Sequence, residues 1–419
     1  MPLARQLNVF DATMIVMGGI IGSGIFMNPY VVAQQVHDPL LILGVWLFGG
    51  FVAMAGAFVY ADLAACDSGL GGQYAYLRDG WHPSVAFLYG WCLLLVIQTG
   101  GMAAVAVTFA NYLIEMTGLP WPPGLIAALT LAPLAGINIL GVRAGSTTQN
   151  ILMALKIVAI GVLVTAGFMA PGAGAAKPPD TGFVRSLSGA LTPVLFAYGG
   201  WQTASFLSGE MKNPKRDLAR GVIMGVSGVV VLYLAVNWVC VRALGPDGLA
   251  NTPTPASAVM RLAFGAAGGK LMAAGIAIST LGFLSQGMLT APRIYYAMAK
   301  DGLFFEKIGT VNARTQAPAA AIALQAVLAV AIAFSGRYDQ ILNYVVSIDF
   351  IFFGLTGAAA IRMKAGHTAA AVFFVAACWY TVLATIAKDP RTSSIGLGFL
   401  AAGVPVYFLW AARNKTRTA

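Results

Sequence analysis

The stretch GGIIGSGIFMNP, Gly18–Pro29, packs four glycines, a serine and a proline into an apolar run. All of them are poor helix formers. A helix broken there exposes N–H groups on one half and C=O groups on the other. The N–H end carries partial positive charge and suits a carboxylate; the C=O end suits an ammonium group. A second interruption, at Gly199 and Gly200, lies in FAYGGWQTASF, Phe196–Phe206. Two such breaks facing each other form a dipolar socket for a zwitterion, and an α-amino acid fits that description. Close packing of helices through small residues is the competing explanation of the glycines.

Two ionisable residues stand deep in apolar sequence: Lys156 in NILMALKIVAIGVLV and Asp349 in VVSIDFIFFGL. Charged groups in hydrocarbon are costly, and they mark ion, proton or substrate sites unless they snorkel or pair. Lys156 is open to three readings: snorkelling to an interface, a fixed internal cation, or a proton carrier. Asp349 is open to two, proton coupling or pairing with a polar neighbour. Ser279, Ser285 and Gln286 add polar groups on one later run, though serines in membrane helices usually bond their own backbone. Asp62 and Glu115 fall near span ends, where water reaches them. His37, His82 and His367 lie at or near loops without HExxH-like spacing. Cys66, Cys92, Cys240 and Cys378 are scattered without metal-ligand spacing and read as small buried side chains. An enzyme is therefore disfavoured, and no cofactor or metal is expected. A channel needs a continuous polar pore, which runs this apolar do not supply.

The elements that must position these groups are membrane helices. Of the 419 residues 58% are hydrophobic and only 10% charged, with a mean hydropathy of +0.78. Soluble chains average about 25% charged residues. Apolar runs long enough to span a bilayer recur near 11–35, 39–61, 84–114, 123–141, 148–170, 187–208, 221–243, 269–292, 317–335, 341–361, 368–387 and 394–412. The fold class is all-α integral membrane, with about twelve helices. The opening MPLARQLNVFDATM has no short apolar region ending in a small-residue cleavage site, so the first run is expected to be a retained helix. The glycine breaks fall in the first and sixth runs, corresponding positions of two halves, which is the sequence pointer to a transporter built from inverted repeats.

With both termini placed in the cytoplasm, 16 of the 25 Lys and Arg residues fall in inner loops and 8, including Lys177 and Arg337, in outer ones. That asymmetry supports cytoplasmic termini in a multi-pass cell-membrane protein. It also explains the net charge of +10 without nucleic acid.

At these residues the chain resembles the amino acid–polyamine–organocation superfamily of transporters. Within it the resemblance is to the L-type branch, which includes bacterial serine/threonine-type exchangers and the light chains of animal heteromeric transporters. GGIIGSGIF resembles the family's first-helix motif. GGQYAYL, Gly71–Leu77, resembles its GGEYxYL element, with Gln73 where glutamate is usual. GEMKNPKRDLARG, Gly209–Gly221, and RIYYAMAKDGLFFEKI, from Arg293, resemble the loops after the sixth and eighth helices.

The resemblance implies a LeuT-type five-plus-five inverted repeat with discontinuous helices 1 and 6, plus two further C-terminal helices. The core is then 1–365, with repeat one about 11–170 and repeat two about 187–362, and 366–419 holds the last two helices and the tail. It also implies that N–H groups of Gly22, Ser23 and Gly24 hold the substrate carboxylate. Carbonyls of Ile20 or Ile21 and of Phe196, Ala197 and Gly199 hold its ammonium group, and the Phe196 ring gates it. Family members that run without sodium carry a lysine where Lys156 stands. FAYGGW, in place of FAYDGW, leaves room and no carboxylate at Gly199, which favours neutral substrates; Trp201 and Gln202 shape the side-chain pocket. Sodium-independent exchange of neutral L-amino acids follows, with proton-coupled symport as the alternative and Asp349 as a possible coupling group. The loop EMTGLPWPPG, Glu115–Gly124, lacks the cysteine by which light chains join a heavy subunit. No disulfide-linked heavy subunit is therefore expected, and the chain is expected to function as a monomer.

Overall fold

The computed structural model describes residues 3–66, 70–173, 183–335 and 338–418; the loop cations Lys177 and Arg337 counted above lie outside them. Among the described residues the protein is helical, apart from an isolated parallel bridge between Leu7 and Met211. The elements run α1 (Val9–Ile20), α2 (Gly24–Ala33), α3 (Pro39–Cys66), α4 (Gln73–Gly80), α5 (Pro83–Cys92), a π-helical segment Leu93–Ile97, and α6 (Gln98–Thr117). Then come α7 (Pro123–Ile139), α8 (Val142–Met169), α9 (Phe183–Ala197), a 3₁₀ segment Trp201–Glu210, α10 (Pro214–Ala250), α11 (Pro255–Thr290) and α12 (Pro292–Lys300). A short 3₁₀ turn, Glu306–Gly309, leads to α13 (Ala319–Ser335), α14 (Tyr338–Arg362), α15 (Thr368–Lys388) and α16 (Pro390–Thr418).

Seven of the described helices or continuous helix runs are long and apolar enough to cross a membrane, and α1 with α2 forms an eighth span bent by 46°. The local signals for these elements are ordinary. Asn8 and Asp11 close a reciprocal capping box at the start of α1 (3.1 Å each way). Pro214 opens α10, where the Asp217 carboxylate takes the Asn213 N–H (3.1 Å). Among the described residues the core falls into three apolar clusters, and in the largest α3 lies along α10, α8 along α11, and α1 against α10. Cys240 and Cys378 are buried in it and Cys92 in a second cluster, but Cys66, at the end of α3, is exposed, contrary to expectation.

The end of the bundle that carries the N terminus is closed by paired groups. Gln6 and Leu7 donate their N–H groups to the Glu210 carbonyl (2.9 and 3.0 Å), and Lys212 N–H returns to Leu7 (2.8 Å). The Glu210 carboxylate pairs with the Arg293 guanidinium (3.1 Å), and both side chains are only 1% exposed. Removing one partner of a buried pair leaves the other charge uncompensated, at a cost of about 3–5 kcal/mol. Glu210→Ala is therefore expected to lower thermal stability by about that amount, with part of it recovered in the double variant Glu210→Ala/Arg293→Met; unfolding of the detergent-solubilised protein measures both. Nearby, Arg78 on α4 binds Asp301 (2.8 Å), which also accepts from the Tyr74 hydroxyl (2.9 Å). Asp62 is held by His367 (main-chain N–H 2.7 Å) rather than only by solvent. Gln73, the departure from the usual glutamate, is buried and donates to Thr356 (3.3 Å).

Candidate functional site

The chain between α1 and α2 is non-helical at Ile21, where ψ is 91°. Between α9 and the 3₁₀ segment it turns at Gly200, whose φ is 108°. The two breaks touch: a Cβ on Gly19 would lie 2.7 Å from the Gly200 carbonyl oxygen, and one on Gly200 would overlap the Gly19 carbonyl. The glycines are thus there for backbone-to-backbone approach as well as for unwinding. A cavity of about 410 Å³ opens beside them. Its walls are mostly apolar. It reaches toward Tyr30, Thr108 and Pro253, at the end of the bundle opposite the N terminus.

Of the residues expected at the site, Ile20, Gly22, Ser23, Gly24, Phe196, Ala197, Gly199, Gln202 and Asp349 line this cavity. Two do not. The carbonyl of Ile21 is turned away to Lys156, and Ile21 is fully buried. Trp201 is 3% exposed and packs edge-on against Tyr60 (4.8 Å) and stacked on Phe353 (5.7 Å). It backs the cavity wall through Phe353 and makes no part of the wall itself. Phe196 is 41% exposed, so its ring stands free at the cavity and is not locked into the core.

The backbone groups are partly committed. Gly22 N–H donates to the Ile20 carbonyl (3.0 Å), and Phe26 N–H to Ser23 (3.1 Å). The open donors of α2 are therefore its first N–H groups, from Ser23 to Ile25. On the acceptor side Phe196 already takes the Gly199 N–H (3.0 Å). The Tyr233 hydroxyl lies 3.0 Å from the Ile20 carbonyl and 3.1 Å from that of Ala197. Its single proton is shared between the two breaks. The Gly199 carbonyl keeps both lone pairs among the described residues.

Lys156 is 1% exposed and does not snorkel. Its ammonium donates to the carbonyls of Gly18 (3.2 Å) and Ile21 (2.5 Å), the C-terminal carbonyls freed by the break in α1. Ser279 completes the cluster by donating to Gly22 (3.1 Å); it bonds across to the break between α1 and α2 and not to its own helix. Gln286 lines the cavity and binds Thr203, whose hydroxyl donates to the Gly200 carbonyl (2.6 Å). Ser285 is buried and does not line the cavity.

Tyr233 and Gln98 escaped sequence reasoning. Tyr233 lies on α10, 36 residues from Ala197 and 213 from Ile20, so no local pattern joins it to either break. Gln98 follows the π-helical segment, a local irregularity common at functional sites. Tyr233→Phe keeps the ring's packing against Trp46 and Tyr198 and removes the bridging proton. Transport is expected to fall about tenfold with little loss of stability, as one hydrogen bond is worth about 1 kcal/mol. Flux and unfolding temperature, measured side by side, check this.

A family model for amino acid permeases matches residues 7–410, nearly the whole chain. The chain belongs to the amino acid permease family. Its relatives place this permease in the L-type branch of the amino acid–polyamine–organocation superfamily. It is 27% identical over 443 aligned positions to the large neutral amino acids transporter small subunit 2 of Homo sapiens, covering 99% of this chain and 82% of that protein. It is 28% identical to the serine/threonine exchanger SteT of Bacillus subtilis (strain 168), covering 97% of each. It is 28% identical to the b(0,+)-type amino acid transporter 1 of Oryctolagus cuniculus, over 84% of this chain and 75% of that one. This permease is a multi-pass membrane transporter and not an enzyme.

Proposed function

We propose that this permease exchanges neutral L-amino acids across the cell membrane by alternating access, without sodium. The observation that carries the reading is the pair of helix breaks meeting at one cavity. The substrate carboxylate sits on the first N–H groups of α2, from Ser23 and Gly24. Its ammonium group lies against the carbonyls of Gly199 and Ala197, with the second lone pair of Phe196 available. The substrate side chain extends along the apolar wall beneath the Phe196 ring, with Gln202 at its side. Lys156 stands where a sodium ion would otherwise neutralise the freed carbonyls of α1. The names of the relatives, large neutral amino acids and serine/threonine, support neutral substrates.

In this reading the helices form the LeuT-type five-plus-five inverted repeat, about 11–170 and 187–362, with α15 and α16 added. Both termini are cytoplasmic by the loop charges, and the cavity then faces the outside. The absence of cysteine from 115–124 supports a carrier without a disulfide-linked subunit, working as a monomer.

The test uses purified protein in liposomes, following radiolabelled leucine without sodium. Uptake into vesicles loaded with unlabelled leucine, and none into empty ones, is the expected result. Accumulation in empty vesicles driven by an inward proton gradient overturns exchange in favour of symport.

A further inference from the structure

The two sides of α1 are held by different chemistry. Toward α10 the contact is apolar and close: a Cβ on Gly221 would overlap Ala12, and one on Gly225 would overlap Val16. The chain before α1 is also pinned through the bridge between Leu7 and Met211, just ahead of α10. Toward α8 the contact is a line of polar side chains. Asp11 accepts from the Asn150 amide (2.8 Å) and lies 3.5 Å from the guanidinium of Arg143. Further along, Lys156 bonds the carbonyls of Gly18 and Ile21. Between these contacts the Gln149 side chain lies against Gly18, where a Cβ would overlap its amide.

Gln149 is the anomaly in that line. It is fully buried, and neither its amide oxygen nor its amide nitrogen has a hydrogen-bond partner among the described residues. Such a group costs stability while the contact is closed, and the cost is lifted once water reaches it. The neighbouring polar pairs can exchange one another for water with little net loss, whereas the apolar contact with α10 cannot. The cavity opens at the end opposite the N terminus, so alternating access needs an opening at the end where α1 begins. We propose that Gln149 is a rate-setting residue, whose unpartnered amide destabilises the closed contact between α1 and α8 so that this seam parts readily and exchange turns over fast. The inference rests on the exchange reading above. It adds the place where the closed end opens and the side chain that eases the opening, with α1 staying on α10.

Gln149→Met keeps the length of the side chain and removes both polar atoms. It is expected to raise the unfolding temperature and to lower leucine exchange in liposomes about tenfold, the rate equivalent of one relieved desolvation penalty. A glutamine with a merely structural role gives the opposite pairing, loss of stability together with loss of flux. A second readout leaves Gln149 in place. In a Cys66→Ser background, which removes the exposed thiol, one cysteine replaces Ser146, a turn from Arg143 and from Gln149 on α8, and another replaces Val16, on the α10 side of α1. Both positions are fully buried. A charged maleimide is expected to label Ser146→Cys in the solubilised protein about tenfold faster than Val16→Cys, because the seam opens and the α1–α10 contact does not. Gln149→Met that exchanges at the wild-type rate, or that is less stable than the wild type, overturns the inference. So does labelling of Val16→Cys as fast as that of Ser146→Cys. Leucine exchange by the wild type leaves the exchange reading standing in each of these cases; if the wild type does not exchange leucine, that reading fails and takes this inference with it.

Discussion

Lys156→Ala is expected to reduce amino acid flux at least a hundredfold. Among the described residues its ammonium is the only cation bonded at the break after α1, and it satisfies the carbonyls of Gly18 and Ile21 at once. Alanine would leave both oxygens buried without their charged donor, at about 1–3 kcal/mol each. Neither can be rescued by bulk water, because Ile21 is fully buried. The consequence reaches the substrate socket directly, since Gly22, which lines it, adjoins Ile21 and has its own carbonyl bonded by Ser279. The site around Lys156 is also tight: a Cβ on Gly282 would overlap the lysine Cε, so the stem has one path to the break. Lys156→Arg is expected to be as damaging as alanine, because the planar guanidinium is bulkier than the ammonium it replaces. Exchange in liposomes, with unfolding temperature as the companion measurement, decides the matter. Wild-type flux in the alanine variant would remove Lys156 from the mechanism.

Gly200→Ala is the second large effect, expected to abolish transport and to lower the unfolding temperature. Two independent costs act on one methyl group. At φ 108° an L-residue is strained. The Cβ would also overlap the Gly19 carbonyl, which is backbone and cannot swing aside as a flexible side chain can. Relief requires the breaks in α1 and α9 to separate, and their contact is what places both sets of dipoles at one cavity. Gly161→Ala in α8 supplies the contrast: nothing lies within 4 Å of its Cβ position. There alanine is expected to be neutral or stabilising by roughly 1 kcal/mol, from helix propensity alone. If Gly200→Ala transports as Gly161→Ala does, the touching-break description of the site is wrong.

The two glycine breaks, the depth of Lys156 and the membrane class were legible in the chain, because hydropathy and helix propensity are local properties. So was the list of backbone groups at the breaks, since unwinding frees the same N–H and C=O groups wherever it happens. Which of those groups remain available was not legible. Gly22 spends its N–H on Ile20, Ile21 turns its carbonyl to Lys156, and Tyr233 bridges Ile20 and Ala197 from a separate helix.

Rotation about the helix axis was equally hidden. Trp201 and Gln202 are neighbours in sequence, yet one packs into the aromatic core and the other lines the cavity. Ser279 bonds the break between α1 and α2 where a local rule sent it to its own backbone. By itself the sequence determined that this protein is a membrane-embedded bundle with two helices built to open and a lysine beside the first. Only the tertiary structure decided what meets at the opening. Lys156 and Gly18 are 138 residues apart, and a contact at that separation is set by how helices pack, which no single segment encodes.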